Sequence, residues 1–293
     1  MSPGVQRFCA MLVAAAACLA LAGPADGQNS TPQDATQSRA NVPVSPAQTE
    51  EHLAEEVRNP LAALTQVQLS NDFDFGAAGG NGFLYTFMLQ PIVPFKISDN
   101  WNLITRSAFT ATSVPDSEGS GRTTGTGDSD IQFYFSHDRA RSFIWGFGPV
   151  LGIPTASNSL LGSGKWTLGP GFAIVRQTED WTYGILVNQF WSFAGGKNRD
   201  SVTLMLLHPV FSYTWKSGWS LGLDSESTYD AKASSSERWT VPLQISISKE
   251  ANFGKRPVNL SFGVIPYAVA PSGSPSVGLN FTITRLFPKE GAR

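Results

Sequence analysis

Three histidines, His52, His137 and His208, are the side chains best suited to acid–base or metal chemistry, and they fall far apart on different stretches of the chain. That spacing does not make a metal-ligand set. A serine hydrolase using His137 or His208 as its base is an alternative, with no nucleophile elbow expected beside either. His208 lies in a run that is apolar on both faces, Leu204 to Leu207, which favours a packed or interface role. Gly162-Ser163-Gly164-Lys165 imitates the end of a phosphate-binding loop. However, Ser159 replaces its first glycine, Trp166 stands where Ser or Thr is needed, and no helix pattern follows. Asp128-Ser129-Asp130 lacks the remainder of a calcium loop and reads as a polar strand start. The chain therefore implies no cofactor and no metal. A formal net charge of −2 points away from nucleic acid as a partner.

The elements that would position any chemistry are set by composition. Of the 293 residues, 41% are hydrophobic and 15% charged, against about 25% charged in soluble domains. No long apolar run exists beyond the first two dozen residues. A transmembrane β-barrel accommodates both facts, because lipid-facing and lumen-facing residues alternate along each strand.

Residues 1–27 read as a signal peptide, with Arg7, an apolar stretch from Phe8 to Ala22, and cleavage after Ala22 or Gly27. The stretch is shorter than the roughly 20 residues of a membrane helix. Both cysteines, Cys9 and Cys18, fall within it, and Ala15 stands where a lipid-attachment signal at Cys18 would carry leucine. Residues 28–65 form a polar lead-in followed by a short helix over 49–58, with Thr49 as N-cap and Asn59-Pro60 as stop. Leu53, Val57, Leu61 and Leu64 would make one stripe. A docked helix and a plug at the barrel's inner end are both open readings.

From residue 66 the hydrophobic period becomes two. Ile131, Phe133 and Phe135 alternate with polar neighbours, as do Val241 to Ile247 and Val277 to Ile283. The expectation is an all-β, antiparallel up-and-down barrel over 66–287 with about 12 strands, followed by a tail at 288–293. The strands fall at 66–75, 82–94, 100–112, 128–137, 142–152, 166–177, 181–192, 201–215, 219–229, 238–248, 257–270 and 275–287. Short connections such as Phe95–Asp99, Asp138–Arg141, Thr178–Asp180 and Lys216–Gly218 alternate with longer polar ones such as Ser113–Gly127, Ile153–Lys165, Phe193–Asp200 and Asp230–Glu237. This is the arrangement of short periplasmic turns and long external loops. All eight tryptophans, Trp101, Trp145, Trp166, Trp181, Trp191, Trp215, Trp219 and Trp239, sit near strand ends, as in an aromatic girdle. Parity places Arg106, Asp130, Arg176, Asn188, Asp224, Glu226, Gln244, Asn259 and Asn280 on the lumen face. Such a chain would partner outer-membrane lipid, the barrel-assembly machinery and a small-molecule substrate.

Particular segments carry a resemblance. Arg58-Asn59-Pro60-Leu61-Ala62-Ala63-Leu64, Asn71-Asp72-Phe73-Asp74-Phe75-Gly76, Gln90-Pro91-Ile92-Val93-Pro94-Phe95 and Asp99-Asn100-Trp101-Asn102-Leu103-Ile104-Thr105-Arg106 are the strongest. With Gly146-Phe147-Gly148-Pro149 and Gly169-Pro170-Gly171, they resemble a bacterial family of outer-membrane proteins. That family is similar to the phenol-degradation meta-pathway protein, is described as transporters, and is sometimes mislabelled neuromedin U. The resemblance implies a passive channel or transporter for small, apolar or aromatic molecules, and no catalytic residues. It departs at the end of the chain, where Phe287 is followed by Pro288 to Arg293 instead of closing the last strand on an aromatic residue. An outer-membrane lipid or peptide hydrolase, a structural barrel and a soluble sandwich are the rival readings.

Overall fold

A computed structural model describes residues 53–78, 82–115, 121–137, 143–253 and 256–287. The segment 1–27 predicted as a signal peptide, the lead-in through His52, the predicted Asp138–Arg141 turn and the tail at 288–293 lie outside the described residues. The strand segments are β1 (Thr65–Ala77), β2 (Gly82–Lys96), β3 (Trp101–Pro115), β4 (Arg122–Thr126), β5 (Ser129–His137), β6 (Ile144–Ile153), β7 (Lys165–Gln177), β8 (Trp181–Gly195), β9 (Thr203–Thr214), β10 (Trp219–Asp224), β11 (Ser227–Asp230), β12 (Trp239–Pro242), β13 (Gln244–Phe253), β14 (Arg256–Val269) and β15 (Val277–Phe287). Every pairing is antiparallel. The ladder closes where β1 meets β15, from Thr65↔Phe287 to Phe75↔Val277. The result is a 12-stranded closed barrel, as the sequence predicts.

Fifteen segments make twelve spans because three spans are interrupted, and in two of them proline is the cause. The register pairing Asp224 with Val210 and Ser227 with Leu207 puts Ser225 opposite Pro209. The Ser225 amide still donates to the Pro209 carbonyl at 3.2 Å, but proline has no N–H to return the bond. The same occurs where the Leu243 amide donates to the Pro266 carbonyl at 2.9 Å, dividing β12 from β13. Between β4 and β5 the register against β3 instead shifts by one residue, from Ala108↔Asp130 to Ala111↔Thr126.

The polarity of the sheet is inverted relative to a soluble fold. Along β7, Trp166, Leu168 and Phe172 are exposed while Thr167, Gly171, Ala173 and Val175 are buried. Along β14, Phe262 and Val264 are exposed while Asn259 and Ser261 are buried. Apolar side chains point outward and polar ones into the lumen, which is the arrangement a hydrocarbon surround demands. Two glycines are required by close approach. Pro149 and Pro170 face each other across β6 and β7. Beside them, a Cβ on Gly148 would collide with the Phe133 carbonyl, and one on Gly169 with the Gln189 carbonyl.

The short turns at 97–100, 178–180 and 215–218 share one end of the barrel, and the connections at 154–164, 196–202 and 231–238 share the other. Trp101, Trp145, Trp181, Trp215 and Trp219 lie at the short-turn end, and Trp166, Trp191 and Trp239 toward the long-loop end. Trp101 and Trp145 pack edge to face at 5.8 Å, with His137 stacked on Trp145.

The outward apolar face generates a stability prediction. Phe262 is 50% exposed in the middle of β14. Phe262→Arg should destabilise the barrel in lipid vesicles by about 2–4 kcal/mol, the cost of arginine at a bilayer midplane. Denaturant unfolding in vesicles measures it. Unchanged stability would argue against a lipid-facing position for this residue.

Candidate functional site

The segment before β1 occupies the barrel's interior. Residues 53–58 are helical, and Leu53, Ala54, Asn59, Leu61 and Ala62 are buried. Each residue of Arg58-Asn59-Pro60-Leu61 is held by the wall. The Arg58 Nη1 and Nη2 groups donate to Ser246 Oγ at 3.2 Å and Ser248 Oγ at 2.8 Å. Asn59 donates through Nδ2 to Gln177 Oε1 at 3.0 Å, and its Oδ1 accepts the Leu61 amide at 2.9 Å. That second bond turns the chain sharply after the helix, as an Asx side chain does. The Pro60 carbonyl accepts from Arg106 Nη1 at 3.3 Å, and Arg106 Nη2 reaches Gln90 Oε1 at 3.5 Å. Leu61 inserts among Ile92, Ile104, Tyr134, Ala173 and Leu186, the buried apolar cluster of the lumen. Burial lowers the Arg58 guanidinium's affinity for its proton, and the nearby Asp224 charge opposes this.

Two adjoining cavities remain above and beside this segment. A polar one of about 440 Å³ is bounded by Arg58, Asp72, Asp74, Asp224, Tyr267 and Asn280, among others. A mostly apolar one of about 380 Å³ is walled by Ala108, Ile153, Leu186, Phe190, Val202, Leu204 and Leu206, with Asp128, Asp130, Gln132, Lys165 and Thr167 also on its lining. Met88, Gln90, Arg106, His208 and Glu226 border both and form the junction. The polar cavity sets four carboxylates, Asp72, Asp74, Asp224 and Glu226, against the two guanidinium groups of Arg58 and Arg106. Asn280 Nδ2 donates to Asp72 Oδ1 at 2.6 Å, and the Tyr267 hydroxyl to Asp74 Oδ1 at 3.1 Å. The β9–β10–β11 register places Glu226 opposite His208. The imidazole lies between the two remaining acids, with Nε2 at 3.8 Å from Asp224 Oδ2 and Nδ1 at 3.7 Å from Glu226 Oε1.

Of the residues assigned to the lumen by parity, Arg106, Asp224, Glu226, Gln244, Asn259 and Asn280 border the polar cavity, and Asp130 the apolar one. Asn188 is fully buried, with its Oδ1 accepting the Tyr134 hydroxyl at 2.6 Å. Arg176 is a correction. Its neighbours Val175 and Gln177 face inward, Val175 fully buried and Gln177 bonded to Asn59, so Arg176 must face outward. Its guanidinium lies over the Phe143 ring at 5.2 Å, near the short-turn end. There a long cationic side chain can reach the polar boundary from an apolar face. The strand period counted from the exposed Leu168 and Phe172 itself puts Arg176 on the outer face; its charge suggested otherwise because the inward positions beside it, Ala173 and Val175, are apolar.

Sequence reasoning missed Arg58, Asp72, Asp74 and Tyr267. The alternation Asp72-Phe73-Asp74 was a usable signal for two of them, whereas Arg58 lies outside any strand pattern. It also missed a Gly-x-Ser-x-Gly match at Gly218-Trp219-Ser220-Leu221-Gly222. Ser220 is fully buried in β10 and shares a 2.9 Å hydrogen bond with Thr214. It therefore lacks the exposed strand-to-helix turn that a nucleophile elbow needs. His137 faces outward beside Trp101 and Trp145 while His208 faces the lumen, so the two histidines share no site. Asp128 is engaged by the loop at 154–164, accepting the Ala156 amide and the Ser163 amide and hydroxyl. Lys165 Nζ donates to the Gly196 carbonyl, which gives the Gly162–Lys165 stretch a structural role in the long-loop end.

No family model matches the chain, and no curated protein matches it in sequence. Solved structures do match it in three dimensions. The crystal structure of an outer membrane channel from Pseudomonas putida F1 superposes with a TM-score of 0.59 at 17% identity, covering 77% of this chain and 96% of that one. The NanC porin superposes with a TM-score of 0.50 at 9% identity, covering 76% and 99% respectively. At these identities the likeness establishes the architecture: the chain has the fold of outer-membrane β-barrel channels and porins.

Proposed function

We propose that this protein is a passive channel or transporter of the outer membrane for small molecules, with apolar or aromatic solutes as its substrate class. The observation that carries the reading is the inverted barrel: an apolar outer surface around a lumen with two joined cavities, one polar and one apolar. Side chains fill eight-stranded barrels, and 16-stranded ones leave an open aqueous channel. A 12-stranded barrel has room to spare, and residues 53–64 take up part of it. On this reading that segment narrows the path, the two sets of tryptophans mark the membrane boundaries, and residues 1–27 direct export and are removed. The barrel is then inserted by the assembly machinery of the outer membrane. The resemblance to phenol-pathway outer-membrane proteins supports the aromatic part of the substrate class, as do the Leu186, Phe190, Leu204 and Leu206 wall of the second cavity.

The reading makes two predictions. The lumen segment should behave as a removable obstruction. Leu61→Ala removes a buried side chain from the interior cluster, at a cost of about 2–5 kcal/mol. Most of that cost should fall on docking of 53–64, because the closed ladder does not depend on it. Hydrogen exchange of the 53–64 amides should accelerate more than tenfold, and single-channel recordings in planar bilayers should show longer or larger openings. Unaltered exchange and conductance would show that the segment does not control the path. Charge in the lumen should also set ion preference. Asp224→Asn should reduce cation preference and Arg106→Ala should increase it, read as opposite shifts of reversal potential under a salt gradient. Identical reversal potentials in both variants and the parent would remove these residues from the conducting path.

A further inference from the structure

We infer that the junction between the two cavities is a binding site for an amphipathic organic cation, with its ammonium group in the polar cavity beside Glu226 and Asp224 and its apolar body in the cavity walled by Leu186, Phe190, Leu204 and Leu206. This inference rests on the channel reading and adds a cationic head group to the apolar body that the reading assigns to its solutes. Each cavity falls within the ~300–1,000 Å³ typical of small-molecule sites, and the two meet at shared residues, so one ligand can span both.

The sign of the charge follows from which groups are already committed. Arg58 is hydrogen-bonded to Ser246 and Ser248, and Arg106 to the Pro60 carbonyl and Gln90. The two guanidiniums hold the lumen segment and also line the polar cavity, where the four carboxylates outnumber them. The acids differ. Asp72 and Asp74 accept bonds from Asn280 and Tyr267, but Asp224 and Glu226 have His208 beside them at 3.8 and 3.7 Å, beyond hydrogen-bond length. The Glu226 side chain is 51% exposed although it points into the lumen. Acceptor capacity and negative charge are thus available at the mouth of an apolar chamber, where low-dielectric walls focus the field. An anion would meet a lining in which carboxylates outnumber guanidiniums, and a purely apolar solute would leave the Glu226 carboxylate without a hydrogen-bond partner against its surface.

A second observation also points to a polar ligand group. The Gln66 side chain is fully buried, borders the polar cavity and has neither its Oε1 nor its Nε2 hydrogen-bonded. Asn259, 2% exposed, borders the same cavity with its Nδ2 unbonded. Buried amides ordinarily find partners. These two retain hydrogen-bonding capacity next to the polar cavity, although the atoms themselves are closed off from it, so a side-chain rotation must bring them to a head group or its accompanying water.

The test uses the full chain and three probes of equal length: hexylamine, hexanol and hexanoate. Equilibrium dialysis of the detergent-solubilised protein, with protein-free micelles as the blank, measures binding. Block of single-channel current in planar bilayers measures access from the lumen. Hexylamine should bind and block at concentrations at least about tenfold lower than the alcohol or the acid. Glu226→Gln should weaken hexylamine by about tenfold while leaving hexanol unaffected, and Leu206→Ser should weaken both. Equal binding of the three probes, or parent-like hexylamine affinity in Glu226→Gln, would overturn the site. A protein that never conducts ions would instead refute the channel reading, with the dialysis result still deciding whether the site exists.

Discussion

Everything in this molecule depends on the obligation to pair backbone N–H and C=O groups where water is absent. In a hydrocarbon layer each unpaired group costs several kcal/mol, so a sheet can cross only if it has no edge. The contact that removes the edge is the ladder between β1 and β15, which joins residues more than two hundred positions apart in sequence. Given closure, the remaining features have local causes. Alternation puts one set of side chains into lipid and the other into the lumen. The prolines at 209 and 266 interrupt their neighbours' ladders without opening the wall, because the opposing amides of Ser225 and Leu243 still find the proline carbonyls.

Closure at twelve strands also creates the interior problem that the N-terminal segment addresses. The wall alone leaves a lumen wider than its side chains can fill. Residues 53–64 enter it with an apolar residue, Leu61, on one side and hydrogen-bonding residues, Arg58 and Asn59, on the other. The wall answers in kind: Ile92, Ile104, Tyr134, Ala173 and Leu186 receive the leucine, and Ser246, Ser248 and Gln177 receive the polar groups. What remains unfilled is split by chemistry into a polar and an apolar cavity, and that division is the structural basis for reading selectivity into the barrel.

Most of the fold was legible in the sequence because a two-sided strand in lipid has a strict period. The run Ile131, Phe133, Phe135 and the placement of Trp166 and Trp181 beside turn residues fix faces and ends together. Legibility failed where a charge outweighed the period. In β7, Ala173 and Val175 face inward, so the charge at Arg176 was assigned to the wrong side; only the packing of residues 53–64 explains why apolar groups belong in that part of the lumen. Arg58 could not be read for the same reason, since its partners Ser246 and Ser248 lie nearly two hundred residues away and no local spacing encodes the contact. Glu226 and Asp224 were placed on the lumen face, but their pairing around His208 depends on the register of β9 against β10 and β11, which alternation alone does not specify.

The most direct test is a cross-link across the closing seam. Ser70 and Thr282 are register partners on β1 and β15, with their hydroxyl oxygens 2.9 Å apart, and antiparallel partners have the Cα spacing a disulfide needs. In a chain with Cys9 and Cys18 replaced by serine, the double variant Ser70→Cys/Thr282→Cys should form an intramolecular disulfide on mild oxidation in membranes. A control pair on β1 and β2, Ser70→Cys/Met88→Cys, should do the same, since those positions are also register partners. Cross-linking of both pairs is the result expected of a closed barrel. Cross-linking of the control alone would mean that β1 and β15 are free edges, and the account built on closure would be wrong.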